Sequence, residues 1–464
     1  MEMYPFQSDA VRRVMALGTG RRLLVSPTGT GKSVMLCGLA RMHASTGLSV
    51  GILVHRIELL EQVAEKLRGY GLRFGVIASK GSTGSAESIQ VGMVQTVRRR
   101  MEKTPWDVVI CDEAHRDEFK VAVQNPPPYL YGFTATPWRS DNRIGEWYPD
   151  GLVEAITYSK AIAQGYIVPS RVFAPDVPDL RDVATRGGDY DAVELGKRLC
   201  NQKLVGNVVD TYLLHGRGEK AVCFCVNVEH AEMTTREFQR RGVQAVCVTG
   251  ETPPTERAVS MARFRTGSAR VLVNVSVAIE GLDVADASIV IIDRPTHSLS
   301  MYMQMAGRGA RSFPGKREFR LFDHSGSVFE HGSPTQDRDW SLDGPVEKRK
   351  AGAAAPTFKR CDKCFYVFGP RDRECPNCAT PHTTRPVAHK SGQLVEVLPE
   401  MYKPVEGFID AFQKARRKAF AETTSRGLRG TAQWVHVNRA MNETRAFLRG
   451  EAQLIVPQNP DLLW

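Results

Sequence analysis

The sequence predicts an α/β fold: two tandem domains, each built on a mainly parallel sheet, then a small four-cysteine module and a helical C-terminal tail. Three observations carry this. Short apolar runs alternate with amphipathic stretches from residue 20 to 140. The alternation returns after residue 170. Two Cys-x2-Cys knuckles then follow a stretch rich in Pro, Gly, Ala and charge. Strand–helix alternation makes successive strands parallel, because each helix carries the chain back across a sheet face.

In the first domain, RRLLVSP, SVGILVH, SIQVGMVQT, DVVICDEA and YLYGFTAT read as short buried strands. Between them, KSVMLCGLARMHAST and RIELLEQVAEKLRGYG carry helical spacing. LVEAITYSKAIAQGYIVPS joins the halves. In the second domain, SRVFAP, KAVCFCV, AVCVTG, ARVLVNV, ASIVIID and FRLFDH read as strands. VEHAEMTTREFQRRG, PTERAVSMARFRTG and SLSMYMQMAGRGARS read as helices. The expected boundaries are 1–165 and 166–331 for the domains, 332–357 for a linker and 358–380 for the cysteine module. Residues 381–464 form a basic, partly helical region, where Trp434 and Trp464 are either partner anchors or core. No short-period repeat is present.

With 464 residues the chain is long enough for about three domains. Hydrophobic content of 42% and charged content of 24% are ordinary for a globular protein. The net charge of +11 favours a polyanionic partner, either nucleic acid or an anionic membrane surface. No apolar run approaches the roughly 18 residues of a membrane helix. The N-terminus MEMYPFQSDAVRR has no apolar signal core. The expected location is therefore the cytoplasm, near the nucleoid. Of ten cysteines, Cys37, Cys111, Cys200, Cys223, Cys225 and Cys247 are scattered, as expected of thiols in a reducing compartment.

Ser26-Pro27-Thr28-Gly29-Thr30-Gly31-Lys32-Ser33 follows a predicted strand and opens a helix. That is the context of a phosphate loop. Gly29 and Gly31 let the backbone approach phosphates, and free N–H groups at the helix start cradle the anion. Lys32 reaches the β- and γ-phosphates of ATP, and the Ser33 hydroxyl holds Mg2+. The strict pattern has glycine at position 26, where this chain has serine. About 80 residues on, the apolar strand Val108–Cys111 ends in Asp112-Glu113. Asp112 is placed to bind Mg2+ and Glu113 to orient or deprotonate an attacking water.

A GTGKS loop followed by Asp112-Glu113-Ala114-His115 resembles a superfamily 2 helicase of the DEAH type, over roughly residues 1–330. The resemblance implies two RecA-like domains and further roles. Tyr4 and Gln7 stand where the family reads adenine. His55 and Arg56, with Gln62, and then Gln95-Thr96 stand where it touches nucleic acid. His115 and Thr134-Ala135-Thr136 match elements that couple ATP state to nucleic-acid grip. Asn274-Val275 through Glu280-Gly281-Leu282-Asp283 resembles motif V, with Asn274 at nucleic acid and Gly281 and Asp283 at the nucleotide. Gln304-Met305-Ala306-Gly307-Arg308-Gly309-Ala310-Arg311 resembles motif VI, with Gln304 in coupling. Arginines three apart share one face of a helix, so Arg308 and Arg311 are expected to present two guanidiniums to the terminal phosphate, Arg311 as the principal finger. Within the superfamily, Arg294-Pro295-Thr296, the Tyr302–Arg311 stretch, Phe322-Asp323-His324-Ser325-Gly326 and His331-Gly332 resemble the RadD-like repair helicases. That likeness implies DNA repair, with single-strand-binding protein or a recombinase as partners. Phage helicases and restriction-enzyme motor subunits share many of these residues.

Cys361-x2-Cys364, ten residues, then Cys375-x2-Cys378 gives four thiolates suited to tetrahedral Zn2+. A redox pair or disulfides are the alternatives. With four protein ligands the role is structural, and metal binding is the folding energy of the unit. Phe365, Tyr366 and Phe368 supply its small core. Lys359, Arg360, Lys363, Arg371 and Arg373 either touch phosphates or form a solvated rim. The expected activity is ATP-driven movement on nucleic acid, DNA favoured over RNA. Alternatives are a restriction-type duplex translocase, an RNA helicase, and a recombination mediator whose ATPase only switches affinity.

Overall fold

Apolar runs without a polar break belong to strands covered on both faces, which is the environment of a parallel sheet. In the computed structural model such runs build two sheets. The structure describes residues 2–78, 81–83, 86–98, 106–138, 144–174, 180, 183–186, 188–275, 284–342, 358–369 and 372–381. Residues 1–383 form one compact unit. The expected basic tail, with Trp434 and Trp464, lies outside the described residues.

The first lobe opens with helix α1 (Pro5–Ala16) and continues through β1 (Gly20–Val25), α2 (Lys32–Ser45), β2 (Val50–Val54), α3 (Ile57–Gly69), β3 (Gly75–Ala78), β4 (Gly81–Thr83), β5 (Ile89–Met93), α4 (Val94–Val97), β6 (Val108–Asp112), α5 (Lys120–Gln124), β7 (Tyr129–Thr134), α6 (Ile144–Trp147), β8 (Leu152–Glu154) and α7 (Tyr158–Ala163). The strand order is β4-β3-β5-β2-β6-β7-β1-β8. Pairs are parallel except β3–β4. Alternate residues feed alternate faces, as strand geometry requires. Leu24, Ile52, Ile110 and Tyr131 enter one apolar layer. Leu23, Leu53, Val109 and Leu130 enter the opposite one. The SIQVGMVQT run is strand only to Met93, and Val94–Val97 turns into a short helix.

The second lobe comprises β9 (Ser170–Phe173), a hairpin of β10 (Thr185–Arg186) and β11 (Asp189–Tyr190), α8 (Ala192–Leu199), α9 (Gln202–His215), β12 (Ala221–Cys225), α10 (Val228–Arg240), β13 (Ala245–Val248), α11 (Pro254–Thr266), β14 (Val271–Asn274), β15 (Ile289–Asp293), α12 (Leu299–Gly307), β16 (Phe319–Asp323) and α13 (Ser327–His331). Its sheet, β13-β14-β12-β15-β16-β9, is parallel throughout. The joining segment packs here: Ile156, Tyr158, Ala161, Ile167 and Val168 enter the second lobe's core.

The stretch expected as a linker begins as a packed strap. The Asp337 carboxylate accepts from Ser159 N–H at 2.8 Å. Trp340 meets Trp138 edge-to-face at 4.9 Å and packs with Leu342 on the first lobe's core. Residues 343–357 lie outside the described residues. The cysteine module follows, with β17 (Lys359–Arg360) antiparallel to β18 (Val367–Phe368).

Candidate functional site

Three strand ends meet at one edge of the first sheet. β6, β7 and β1 are neighbours, so Asp112, Thr134 and Ser26 gather at their carboxyl ends. Open α/β sheets bind ligands at that edge, where loops and helix N-termini converge.

The chain leaves β1 at Val25 and enters α2 at Lys32, with Ser33 next on the helix. Gly29 and Gly31 hold φ of +93° and +82°, which glycine accepts without strain. Gly31 caps α2, leaving the helix's first N–H groups available to an anion. The loop is braced from within. Thr30 Oγ1 donates to Pro27 O at 2.7 Å, so in the 2.6 Å contact between the Ser26 and Thr30 hydroxyls Ser26 is the donor. A glycine at position 26 would lack that bond. Gln7 braces the loop from outside. Its Nε2 donates to Thr30 O at 2.8 Å and its Oε1 accepts from Tyr4 N–H at 2.8 Å. A Cβ on Gly31 would lie 2.6 Å from Gln7 Nε2. The Tyr4 ring is exposed and lies 4.7 Å from the Tyr166 ring.

Asp112 ends β6 and is buried. Burial, and then the charge of Glu113, push its carboxyl up to about 7. Glu113 adopts φ of +52°, a left-handed conformation that costs a non-glycine residue roughly 1 kcal/mol or more. Its N–H donates to Asp112 Oδ1 at 3.0 Å. Glu113 Oε1 stands 3.9 Å from Lys32 Nζ. Beside it, His115 Nδ1 lies 3.6 Å from Glu113 Oε2 and 3.0 Å from Thr134 Oγ1. Thr134 Oγ1 donates to Thr136 O at 3.0 Å and accepts from Thr136 N–H at 3.1 Å.

The second lobe closes on this edge. A Cβ on Gly307 would lie 2.5 Å from Thr28 Cβ, so only glycine fits there. Arg311 covers Gly29: a Cβ on that glycine would be 3.3 Å from Arg311 Cγ. The expectation that Arg308 and Arg311 share a helical face needs correction. Helix α12 stops at Gly307 with Arg308 as its C-cap. The next N–H groups bond three residues back, Gly309 to Ala306 and Ala310 to Gly307, the tightening common at helix ends. Arg311 lies beyond, bridged to Ile167. Gly309 lies against the second lobe's core: a Cβ there would lie 2.3 Å from the Phe319 ring. Arg308 and Gln304 are both buried.

The expected nucleic-acid contacts are more dispersed. His55 is buried edge-on to Phe119 at 6.3 Å. Arg56 is half-buried as the N-cap of α3. Gln95, exposed on α4, donates to His55 O at 3.1 Å, and Thr96 beside it is half-buried. Asn274 is fully buried, and its Nδ2 donates to Cys223 O at 2.8 Å. In this structure its side chain ties β14 to β12 inside the sheet. Gly281 and Asp283 lie outside the described residues.

Residues 1–139 match the family model described as "Type III restriction enzyme, res subunit", and residues 203–313 match "Helicase conserved C-terminal domain". The chain belongs to the superfamily 2 helicases. It is an enzyme of the ATP-dependent helicase class. A 51.5 kDa protein of Lactococcus phage (isolate 7-9) is 29% identical, over 77% of this chain and 77% of its own length. The Saccharomyces cerevisiae protein IRC3, named as an ATP-dependent helicase, is 27% identical over 69% of this chain and 50% of its own length. The helicase thus spans about half of that yeast relative. A solved fragment from Vibrio vulnificus, titled as an HsdR subunit of a type I restriction enzyme, aligns with a TM-score of 0.57 at 21% identity, covering 73% of this chain and 66% of its own. The fold is therefore that of helicase RecA-like domains. Among the described residues, no helix is long and apolar enough to cross a membrane.

The helicase's four-cysteine unit is compact. Cys361 and Cys378 sulfurs are 3.6 Å apart, as are Cys364 and Cys375, and all four lie within 4.8 Å of one another. A tetrahedron with metal–sulfur bonds of about 2.3 Å has edges of about 3.8 Å, so the donor set fits Zn2+. The unit is docked on the second lobe. Ala174 N–H donates to Phe365 O at 3.0 Å, Val367 enters the lobe's core, and Arg171 stands over the Tyr366 ring at 5.4 Å.

Cys225, His230 and Asp293 form a second group of potential ligands within 4.8 Å. Val226 N lies 3.5 Å from His230 Nδ1. His230 Nε2 lies 3.0 Å from Asp293 Oδ2. The two atoms touch at ion-pair distance without hydrogen-bond alignment. Burial lowers the ring's affinity for a proton, but the charges of Cys225 and Asp293 outweigh it and raise His230 to about 9. We read the trio as a buried charge pair beneath the sheet edge.

Sequence reasoning missed several residues at the cleft. Ser300 Oγ lies 3.1 Å from His115 Nε2 across the lobes, and Arg257 reaches Glu58 at 4.0 Å. Neither stands in a spacing pattern. Tyr166 was legible only as part of the joining segment.

Proposed function

We propose that this helicase is a DNA motor that hydrolyses ATP between residues 1–165 and 166–331 and steps along the polyanion as the lobes close and open. The observation that carries the reading is the placement of Arg311 over Gly29, with Lys32 and Glu113 facing each other at the same edge of the first sheet. In this reading the P-loop from Thr28 to Ser33 cradles the phosphates, Lys32 neutralises the terminal ones, and Tyr4 and Gln7 receive the base. Glu113 holds the attacking water, with Lys32 and His115 fixing the carboxylate. Arg311 and Arg308 meet the charge that develops on the terminal phosphate. Mg2+, held by Ser33 and Asp112, would supply further neutralisation of that charge. His55, Arg56, Gln95 and Thr96 serve the nucleic-acid side, and Thr134, Thr136 and Gln304 link the two sides. The cysteine module is a structural zinc unit.

DNA is favoured over RNA because the match across the first lobe is to a restriction-enzyme subunit family. The same match supports a second reading, a duplex translocase that never separates strands. A repair or recombination role at the nucleoid rests on the sequence likeness to RadD-like helicases and on the cysteine module behind the motor. The test is ATP hydrolysis measured with single-stranded DNA, duplex DNA, forked DNA and RNA side by side, with strand displacement on the fork. DNA stimulation with displacement supports the helicase, and duplex stimulation without displacement supports the translocase. Stimulation by RNA alone overturns the DNA assignment.

A further inference from the structure

His115 sits between two hydroxyls from different lobes. On the first lobe its Nδ1 faces Thr134 Oγ1 at 3.0 Å. The Thr134 hydroxyl proton is committed to Thr136 O, so Thr134 accepts and His115 Nδ1 carries the ring proton. His115 Nε2 is then an acceptor, and its partner is Ser300 Oγ–H at 3.1 Å. The polarity is set along the whole chain: Ser300 donates to His115, His115 donates to Thr134, and Thr134 donates to Thr136. Such chains polarise one another and hold one tautomer.

Ser300 is the second residue of α12, the helix that leads to Arg308 and Arg311. Its hydroxyl is not needed for capping, because Ser298 accepts from Met301 N–H. Gln304, expected from the sequence to couple the lobes, is buried with an Nε2 that has no hydrogen-bond partner. The hydroxyl that reaches the Asp-Glu-Ala-His segment lies one helical turn earlier.

We propose that Ser300 is a positioning residue: its hydroxyl orients the His115 ring beside Glu113 only when the lobes are closed, so that hydrolysis is tied to closure. The ring's Nδ1 edge stands 3.6 Å from Glu113 Oε2. When the lobes part, His115 loses the Ser300 donor to Nε2, and its orientation beside Glu113 is no longer tied to the second lobe. This proposal rests on the reading of the cleft as an ATPase site.

The test is a double-mutant cycle on the DNA-stimulated kcat of the full chain. Ser300→Ala lowers that kcat about tenfold, the rate equivalent of one net hydrogen bond. It leaves the KM for ATP within about twofold, because the interaction matters in the closed state reached after binding. Ser300→Thr, which keeps the hydroxyl, restores most of the rate. In a His115→Ala background, Ser300→Ala has no further effect. Wild-type stimulation in Ser300→Ala, or full additivity of the two substitutions, overturns the proposal. Lys32→Ala separates the two levels: wild-type turnover in Lys32→Ala sinks the ATPase reading itself. An inactive Lys32→Ala beside an unaffected Ser300→Ala sinks only the relay.

Discussion

Arg311 Cγ would lie 3.3 Å from a Cβ placed on Gly29, across the boundary between the two lobes. One residue opens the second lobe's approach to the site, and the other is the turn of the phosphate loop. Their contact makes the loop's conformation and the closure of the lobes a single problem. Gly29→Ala should therefore act twice. The left-handed φ of +93° strains any side chain, at roughly 1–2 kcal/mol. The added methyl also presses on Arg311. The expected result is a drop of at least about tenfold in ATP hydrolysis, with circular dichroism unchanged.

Lys32 is only partly exposed and stands 3.9 Å from Glu113. Lys32→Ala removes the cation that faces both the acid and an incoming triphosphate. Hydrolysis should fall by about 10²-fold or more, while the melting temperature stays near wild type. Unimpaired turnover in a malachite-green phosphate assay contradicts the phosphate-loop assignment.

The cysteine module covers one side of the second lobe, so metal loss should be felt in the motor. Metal analysis of purified protein should find about one zinc per chain. Cys375→Ser should release it. Uncovering Val367, now buried in the lobe's core, costs about 1.5 kcal/mol by itself. Urea unfolding followed by tryptophan fluorescence should register that loss. A zinc-free wild type of full stability contradicts the assignment.

The His230–Asp293 pair gives a stability term with a defined sign. His230 is raised from 6.5 to about 9 in the folded chain. Its contribution is complete below pH 6.5 and disappears as pH rises through about 9, and it amounts to at most about 3 kcal/mol. Wild type should lose more stability than His230→Asn across that window. Parallel urea titrations of the two proteins at both ends of it check this.

Much of the fold was legible because both sheets are mainly parallel and their central strands are buried on both faces. Runs such as Val108–Asp112 and Ile289–Asp293 carry no polar break before their final aspartate, and the alternation of side chains between the two apolar layers follows from strand geometry alone. The phosphate loop was legible because glycines, lysine and serine must stand in a fixed order there. Other features depend on distant partners. Ser26 looked like a departure until its hydroxyl was seen to brace Thr30. Gln7 meets Gly31 from another helix. Arg308 and Arg311 resembled a helical pair because helix spacing was assumed to continue, but Gly307 and Gly309 are shaped by Thr28 and Phe319. Ser300 and Trp340 act through partners more than 180 residues away along the chain.

The account turns on two lobes acting on one triphosphate, and Arg311→Ala tests that most directly. ATP affinity and single-turnover hydrolysis are to be measured on the same preparation with DNA present. The account predicts binding within about threefold of wild type and hydrolysis slowed by about 10³-fold or more, the scale of a lost arginine finger. Hydrolysis at the wild-type rate would contradict it.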